Sequence, residues 1–396
     1  MLASFGVRAS FGAFITSWER DFAVDRAVVT SISMLSFIVF AFAQPLAGKL
    51  NDYFGGRVVP SLGMLLVGAC LLLSSQATAI WQLFITYGVG ISLGIAGCSN
   101  VITTAIVTQW FASRRGFALG LAVSGMAVGQ LIVVPATLFL IHQYNWRTAM
   151  LVVGLIILVV FVPLMLIFVR SKPADVGLRP YGAIDHQVDT AGPTYQRPEP
   201  AQKTSLFAVL KQRPFWQLTI PYFVCGFTDV GLIQTHLIPL AQGKGFPVAI
   251  VALTFSTIAV LNILGTITTG YLSDHFHRTR QLSFIYAVRA AMLLFLFFLS
   301  SPWLLIPFAV IYGATEMASI APTSSLTASL FGQYSIGTIL GFVSVSHQIG
   351  GALGSWIPGV LFDLTGSYSI ILVLSVVLLI GSAFLVLSVP EPRSAA

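Results

Sequence analysis

The sequence predicts an all-α membrane protein of twelve transmembrane helices in two pseudo-symmetric six-helix bundles. Three observations carry that class. Hydrophobic residues fill 56% of the 396 positions, charged residues only 8%, and mean hydropathy is +0.90. An average soluble domain carries about 25% charged residues. So little polar surface cannot cover a soluble sphere of this size, which excludes ordinary soluble, nucleic-acid-binding, collagenous and disordered classes. Second, the apolar residues gather into runs near the ~20 residues that cross a bilayer as helix. The runs are continuously apolar rather than alternating, which excludes a β-barrel. Third, the two sets of runs repeat a loop motif at the same place.

In chain order, six runs lie near residues 1–17, 27–47, 58–76, 80–108, 114–141 and 146–169, and six more near 214–240, 247–272, 281–300, 302–328, 335–361 and 367–389. We number them spans 1 to 12. Span 1 is short and carries Arg8 in its middle. No small-residue cleavage site follows a charged n-region, which argues against a signal peptide. The expectation is a chain that starts inside helix 1, or a helix that does not fully cross. The polar stretch from Arg170 to Arg213 is rich in Pro and Gly (Pro180, Gly182, Gly192, Pro193) and reads as a connector. The expected division is a bundle over 1–169, a cytoplasmic linker over 170–213 and a bundle over 214–390.

The net charge of +7 is concentrated in a few loops. With the linker and both termini in the cytoplasm, fourteen Lys and Arg fall inside and four outside (Arg20, Arg26, Arg147, Lys244). The positive-inside rule then sets the topology in a cytoplasmic membrane. Cys70, Cys98 and Cys225 lie within apolar runs without metal or redox spacing and read as small core residues. Trp81, Trp146 and Trp303 read as interface anchors. There is no Walker string, no His-x-x-x-His pair and no Gly-x-Ser-x-Gly elbow. No enzyme chemistry, cofactor or metal is therefore expected, and the drive must be an ion or solute gradient.

Gly48-Lys-Leu-Asn-Asp52-Tyr-Phe-Gly-Gly-Arg57 follows span 2, and Gly270-Tyr-Leu-Ser-Asp274-His-Phe-His-Arg278 follows span 8, with Gly, Leu, Asp and Phe matching at an offset of 222. Phe111-Ala-Ser-Arg114-Arg115-Gly116 before span 5 has a weaker echo before span 11 in Phe331, Gly337, Leu340 and Gly341. This is the parallel repeat of a two-bundle transporter. Asp52 and Asp274 can accept charge-assisted bonds from neighbouring Arg groups and latch this side, or they cap solvated turns. Span 5 carries Gly116, Gly120, Gly125 and Gly129, which is close-packing chemistry.

On these loops the chain resembles the major facilitator superfamily, whose signature after helix 2 is G-x-L-x-D-R-x-G-R-R/K; Tyr53 stands where that pattern favours Arg. Gly6-Val-Arg8-Ala-Ser10-Phe-Gly12, Ser346-His347-Gln-Ile-Gly350-Gly-Ala-Leu-Gly354 and Phe362-Asp363-Leu-Thr-Gly366-Ser-Tyr368 resemble its monocarboxylate-transporter-like branch, which includes oxalate:formate exchangers. The resemblance implies a cavity between two bundles and gating by the loops around Gly48, Asp52, Arg57, Arg114, Arg115, Gly270, Asp274 and Arg278. That branch has an Asp and an Arg in helix 8, and here Asn262 and Thr266 occupy those places. Its usual carboxylate-binding Arg is missing.

An ionisable group at bilayer depth costs at least about 2.5–3.5 kcal/mol and needs an explanation. Arg8 reads as an anion anchor in the cavity, or as an Arg snorkelling at a helix end. Asp229, Glu316 and His347 lie 11 to 15 residues into their spans, near the midplane. They read as the proton-coupling group, or as a neutral hydrogen-bonded cluster. Arg289 on peripheral helix 9 reads as structural, reaching the interface or a neighbouring acid. His236, near the outer end of span 7, reads as a satisfied surface residue, or it lines the outer gate. Asn100, Gln130, Asn262 and Gln348 bind a polar substrate or tie helices together.

The expected function is alternating-access movement of a small organic anion, monocarboxylate-like, with a proton, by a monomer in the lipid bilayer. A proton-coupled exporter of drugs or metabolites is the first rival; the absence of a Gly-Pro-x-x-Gly-Gly string in span 5 counts against it. A non-transporting sensor on the same fold is the second; two intact gating loops count against it.

Overall fold

In the computed structural model the described residues are 1–111, 114–182, 209–331 and 336–391. Part of the expected linker and Arg393 lie outside them. Helix dominates, and among the described residues there is no strand, only an isolated bridge between Phe111 and Tyr181. We number twelve rods in chain order, counting an interrupted helix as one. The first bundle holds α1 (Leu2–Ala9 and Phe11–Phe22), α2 (Arg26–Phe54), α3 (Val58–Ser75), α4 (Ile80–Trp110), α5 (Arg115–Gln143) and α6 (Trp146–Phe168). The second holds α7 (Arg213–Gly243), α8 (Val248–His275), α9 (Arg278–Phe297), α10 (Pro302–Phe331), α11 (Ile336–Thr365) and α12 (Ser369–Leu387). Ten of these rods are long and apolar enough to cross a membrane over their described residues. Phe42, Leu62, Phe284 and Phe384 are more than half exposed on the outside, as a lipid-facing surface requires.

The repeat seen in the loops extends to helix irregularities. α4 breaks between Ala96 and Asn100, and α10 breaks between Glu316 and Ile320. α1 is interrupted at Ser10, whose hydroxyl folds back on the Gly6 carbonyl at 2.8 Å, while α7 winds as a π-helix over Gly226–Ile233. Broken helices at bilayer depth free backbone groups that only a protein or cavity environment can satisfy.

The close packing repeats too. A side chain at Gly129 of α5 would collide with the α1 backbone at Leu2, and one at Gly350 of α11 would collide with the α7 backbone at Phe223. Only glycine lets the first and fifth helices of each bundle approach so closely. Between bundles, α2 packs on α11, α5 on α8, and α1 on α7.

Two expectations for single residues need correction. Trp146 is buried, not an interface anchor, and its indole N–H donates to Asp21 at 2.7 Å; Trp81 and Trp303 are exposed. His236 is wholly buried rather than at the surface, because α7 is covered there by α1, α11 and Tyr368.

Candidate functional site

A cavity of about 300 Å³ lies between the bundles, walled by α1, α2, α4 and α5 on one side and α7, α10 and α11 on the other. Its lining runs from Met1 and Ser4 at the basic-loop side to Asp229 and Gln234 at depth. At the opposite side the bundles are joined: Thr16 donates to Gln242 at 2.6 Å, and the backbone N–H groups of Arg26 and Ala27 donate to Asp363 at 3.1 and 2.7 Å. The site is thus sealed away from the basic loops and open toward them.

Arg8 is half-buried in the first-bundle wall, brought there by the interrupted α1. Its guanidinium carbon lies 4.3 and 4.4 Å from the ring centroids of Phe37 and Phe40, one turn apart on α2. Such cation–π seating fixes the fork without neutralising it. Nη2 donates to Gln348 Oε1 across the cavity at 3.0 Å. Among the described residues, Arg8 has no acidic partner.

The second-bundle wall is arranged oppositely. Asp229, on the π-helical stretch of α7, accepts from the Tyr312 hydroxyl at 2.9 Å and stands 4.0 Å from Arg289. Glu316 accepts from Gln234 at 3.0 Å and from Asn262. Arg289 is wholly buried; it donates to the Thr315 and Glu316 carbonyls, freed by the break in α10, and to Cys225 Sγ at 2.9 Å. Its reach is therefore to a neighbouring acid and a helix end, not to the membrane interface. The His347 ring lies against Tyr222 with centroids 4.6 Å apart.

Of the eight residues expected to bind substrate or proton, the cavity wall gathers Arg8, Asn100, Asp229, Glu316, His347 and Gln348. Asn262 stands behind Glu316, its carbonyl accepting from Met317 N–H at 3.1 Å. Gln130 is wholly buried on α5, away from the lining, with neither side-chain polar atom bonded among the described residues. Sequence reading missed Tyr222, Gln234 and Tyr312, which look like ordinary residues within apolar runs, and Phe37 and Phe40, which look like lipid-facing bulk.

The loop residues sit at the open end. Arg57 donates to the Leu166 carbonyl at 2.6 Å, and its backbone N–H donates to Ser171 at 3.1 Å. The Arg278 backbone N–H donates to Glu391 at 2.9 Å. Asp52 and Arg114 are exposed, Arg114 with a left-handed φ of 55°, while a side chain added at Gly48 would meet Val101 in ordinary contact and one at Gly270 would enter open space. The side chains of Arg115 and Asp274 lie outside the described set.

The sequence matches the Major Facilitator Superfamily model over residues 1–355. The chain belongs to the major facilitator superfamily. It is 28% identical to monocarboxylate transporter 12-B of Danio rerio over 95% of this chain and 82% of that protein. It is also 28% identical to monocarboxylate transporter 13 of Rattus norvegicus (98% and 86%) and 25% identical to the MFS-type transporter YcxA of Bacillus subtilis (93% and 88%). In fold it is similar to the crystal structure of a bacterial homolog of the human lysosomal transporter Spinster, in an inward-facing and unoccupied conformation. The TM-score is 0.73 at 17% identity, covering 98% of this chain and 94% of that one. This superfamily member is thus a multi-pass membrane transporter related to monocarboxylate transporters.

Proposed function

We propose that the protein moves a small organic monoanion across the cytoplasmic membrane with a proton, by alternating access. The observation that carries this reading is the unneutralised guanidinium of Arg8 in the cavity, opposite acids that already have partners. An Arg fork held on its faces by Phe37 and Phe40 presents its edge, and a carboxylate takes two of its N–H groups. Gln348 holds one end of that edge, and Asn100 lines the cavity nearby. One free cation suits one negative charge, in keeping with the relatives named monocarboxylate transporters.

The proton goes to the second-bundle wall. A proton on Asp229 removes the charge that faces Arg289, which keeps its bonds to the α10 carbonyls. Glu316 and His347 line the same wall and complete the relay. The loops at Asp52 and Asp274 latch the basic side, placed in the cytoplasm with both termini, when the cavity faces the other way. The linker spans 170–213. Export of a cationic drug is disfavoured, because neither cavity acid is free to receive one.

The test is proton movement in proteoliposomes on addition of a panel of small carboxylates, read with an external pH-sensitive dye. Alkalinisation outside with one acid, lost in Arg8→Gln and partly kept in Arg8→Lys, is expected. Silence across the panel from correctly folded protein would overturn the assignment.

A further inference from the structure

The sealed end holds a titratable group that the cavity chemistry does not use. His236 of α7 is wholly buried, with Nε2 2.7 Å from the Ser355 carbonyl and Nδ1 3.0 Å from the Tyr368 hydroxyl. A carbonyl only accepts, so Nε2 carries the proton and Nδ1 is the acceptor. The Tyr368 hydroxyl therefore donates to His236, and its oxygen accepts from Arg26 Nη1 at 2.9 Å. Arg26, on α2 of the other bundle, is paired with Glu19 of α1 by bonds of 2.5 and 2.9 Å and lies 3.8 Å over the Phe362 ring. Asp363 accepts the first two N–H groups of α2. The charged and titratable groups facing this point are thus Glu19 from α1, Arg26 from α2, Asp363 from α11 and Tyr368 at the start of α12.

We propose that His236 is a protonation site whose neutral form closes this end and whose protonation opens it. With both ring nitrogens protonated, Nδ1–H points at a hydroxyl that has to donate to it in the closed arrangement. The Tyr368 hydroxyl can then no longer donate to His236, and a second cation joins Arg26. An unmade buried hydrogen bond and like charges both act against the closed end. By linkage, a proton that binds the open form better shifts the population toward it. The bundles part here in the alternating access proposed above, so the anion meets a gate set by the pH on that side. The experiment below uses no substrate, so a failure of the anion assignment leaves it standing.

Ser33 is buried on α2, in the small space shared with Arg8 and Tyr87 beneath this end. In a chain with Cys70, Cys98 and Cys225 replaced by Ser, Ser33→Cys reports opening through a membrane-impermeant thiol reagent added from the side opposite the basic loops. Exposed Gln76→Cys, on the same side, corrects for thiol reactivity. Between pH 7.5 and 5.5 the corrected labelling is expected to rise by up to about tenfold per pH unit, the limit for one linked proton. In His236→Asn and His236→Gln it should be flat, and Tyr368→Phe should raise labelling at pH 7.5. A rise that persists undiminished in both histidine variants, or its absence in the parent chain, would overturn the proposal.

Discussion

The two walls of the cavity handle charge in opposite ways. The first bundle offers one arginine, Arg8, whose partners are two aromatic faces and a neutral amide. The second offers Arg289, Asp229 and Glu316, each bonded within its own bundle. The difference separates two uses of a buried ion. A charge surrounded by its own partners stabilises the break in α10; a charge left without a counter-ion is poised for one that arrives with the substrate.

The largest effect expected from this contrast is at Arg289. Arg289→Ala leaves Asp229 facing an empty position and two helix-end carbonyls without a donor. It should destabilise the fold by about 3–5 kcal/mol, the cost of stranding a buried partner. Thermal unfolding in detergent reads this directly, and a melting curve like that of the parent would break the comparison. Arg8→Gln should do the reverse. Stability should stay within about 0.5 kcal/mol, while substrate affinity should fall roughly 10- to 100-fold with the loss of a charge-assisted bond of about 1.5–3 kcal/mol. Ligand-induced stabilisation or uptake measures it, and equal losses of stability at both arginines would erase the distinction.

Smaller effects sharpen it. Tyr312→Phe removes one hydrogen bond to Asp229 and should cost about 1 kcal/mol without abolishing folding. Its transport should also show an altered pH profile if Asp229 carries the proton; an unchanged profile would move that role to Glu316 or His347. The smallest effect lies outside both walls. Partial burial alone would raise the Glu391 carboxyl, but the N–H of Arg278 and the N–H and hydroxyl of Thr279 hold it below its usual 4.5. A carboxyl lowered in the folded state stabilises above its unfolded value, and the gain disappears as pH falls through the folded one. Glu391→Gln should therefore melt slightly below the parent at pH 7, by about 0.3–1 kcal/mol, and the two curves should converge as pH falls below 4.5 and through the lowered folded value.

Much of the fold could be read from the chain because a bilayer imposes simple rules. Twelve apolar runs, the loop repeat around Asp52 and Asp274, and the excess of Lys and Arg on one side follow from composition and spacing. The cavity was most legible where an ionisable residue is conspicuous in an apolar run, as with Arg8, Asp229, Glu316 and His347. Polar residues of ordinary type were not separable by sequence: Gln348 reaches the cavity, and Gln130, equally suitable by spacing, does not.

The sequence by itself determined the membrane class, the two sets of six helices and the short list of charges that needed an explanation, because each depends on residue type along one dimension. Only the tertiary structure decided which of those charges have partners. Arg289 stands on a helix that reads as peripheral and is wholly buried behind the second wall, bonded to the Thr315 and Glu316 carbonyls; His236, near the outer end of α7, is locked between Ser355 and Tyr368. The physical reason is that a charge's role depends on what faces it across a helix–helix contact, and those neighbours lie tens to hundreds of residues away: 26 residues from Arg289 to Thr315, 132 from His236 to Tyr368 and 340 from Arg8 to Gln348.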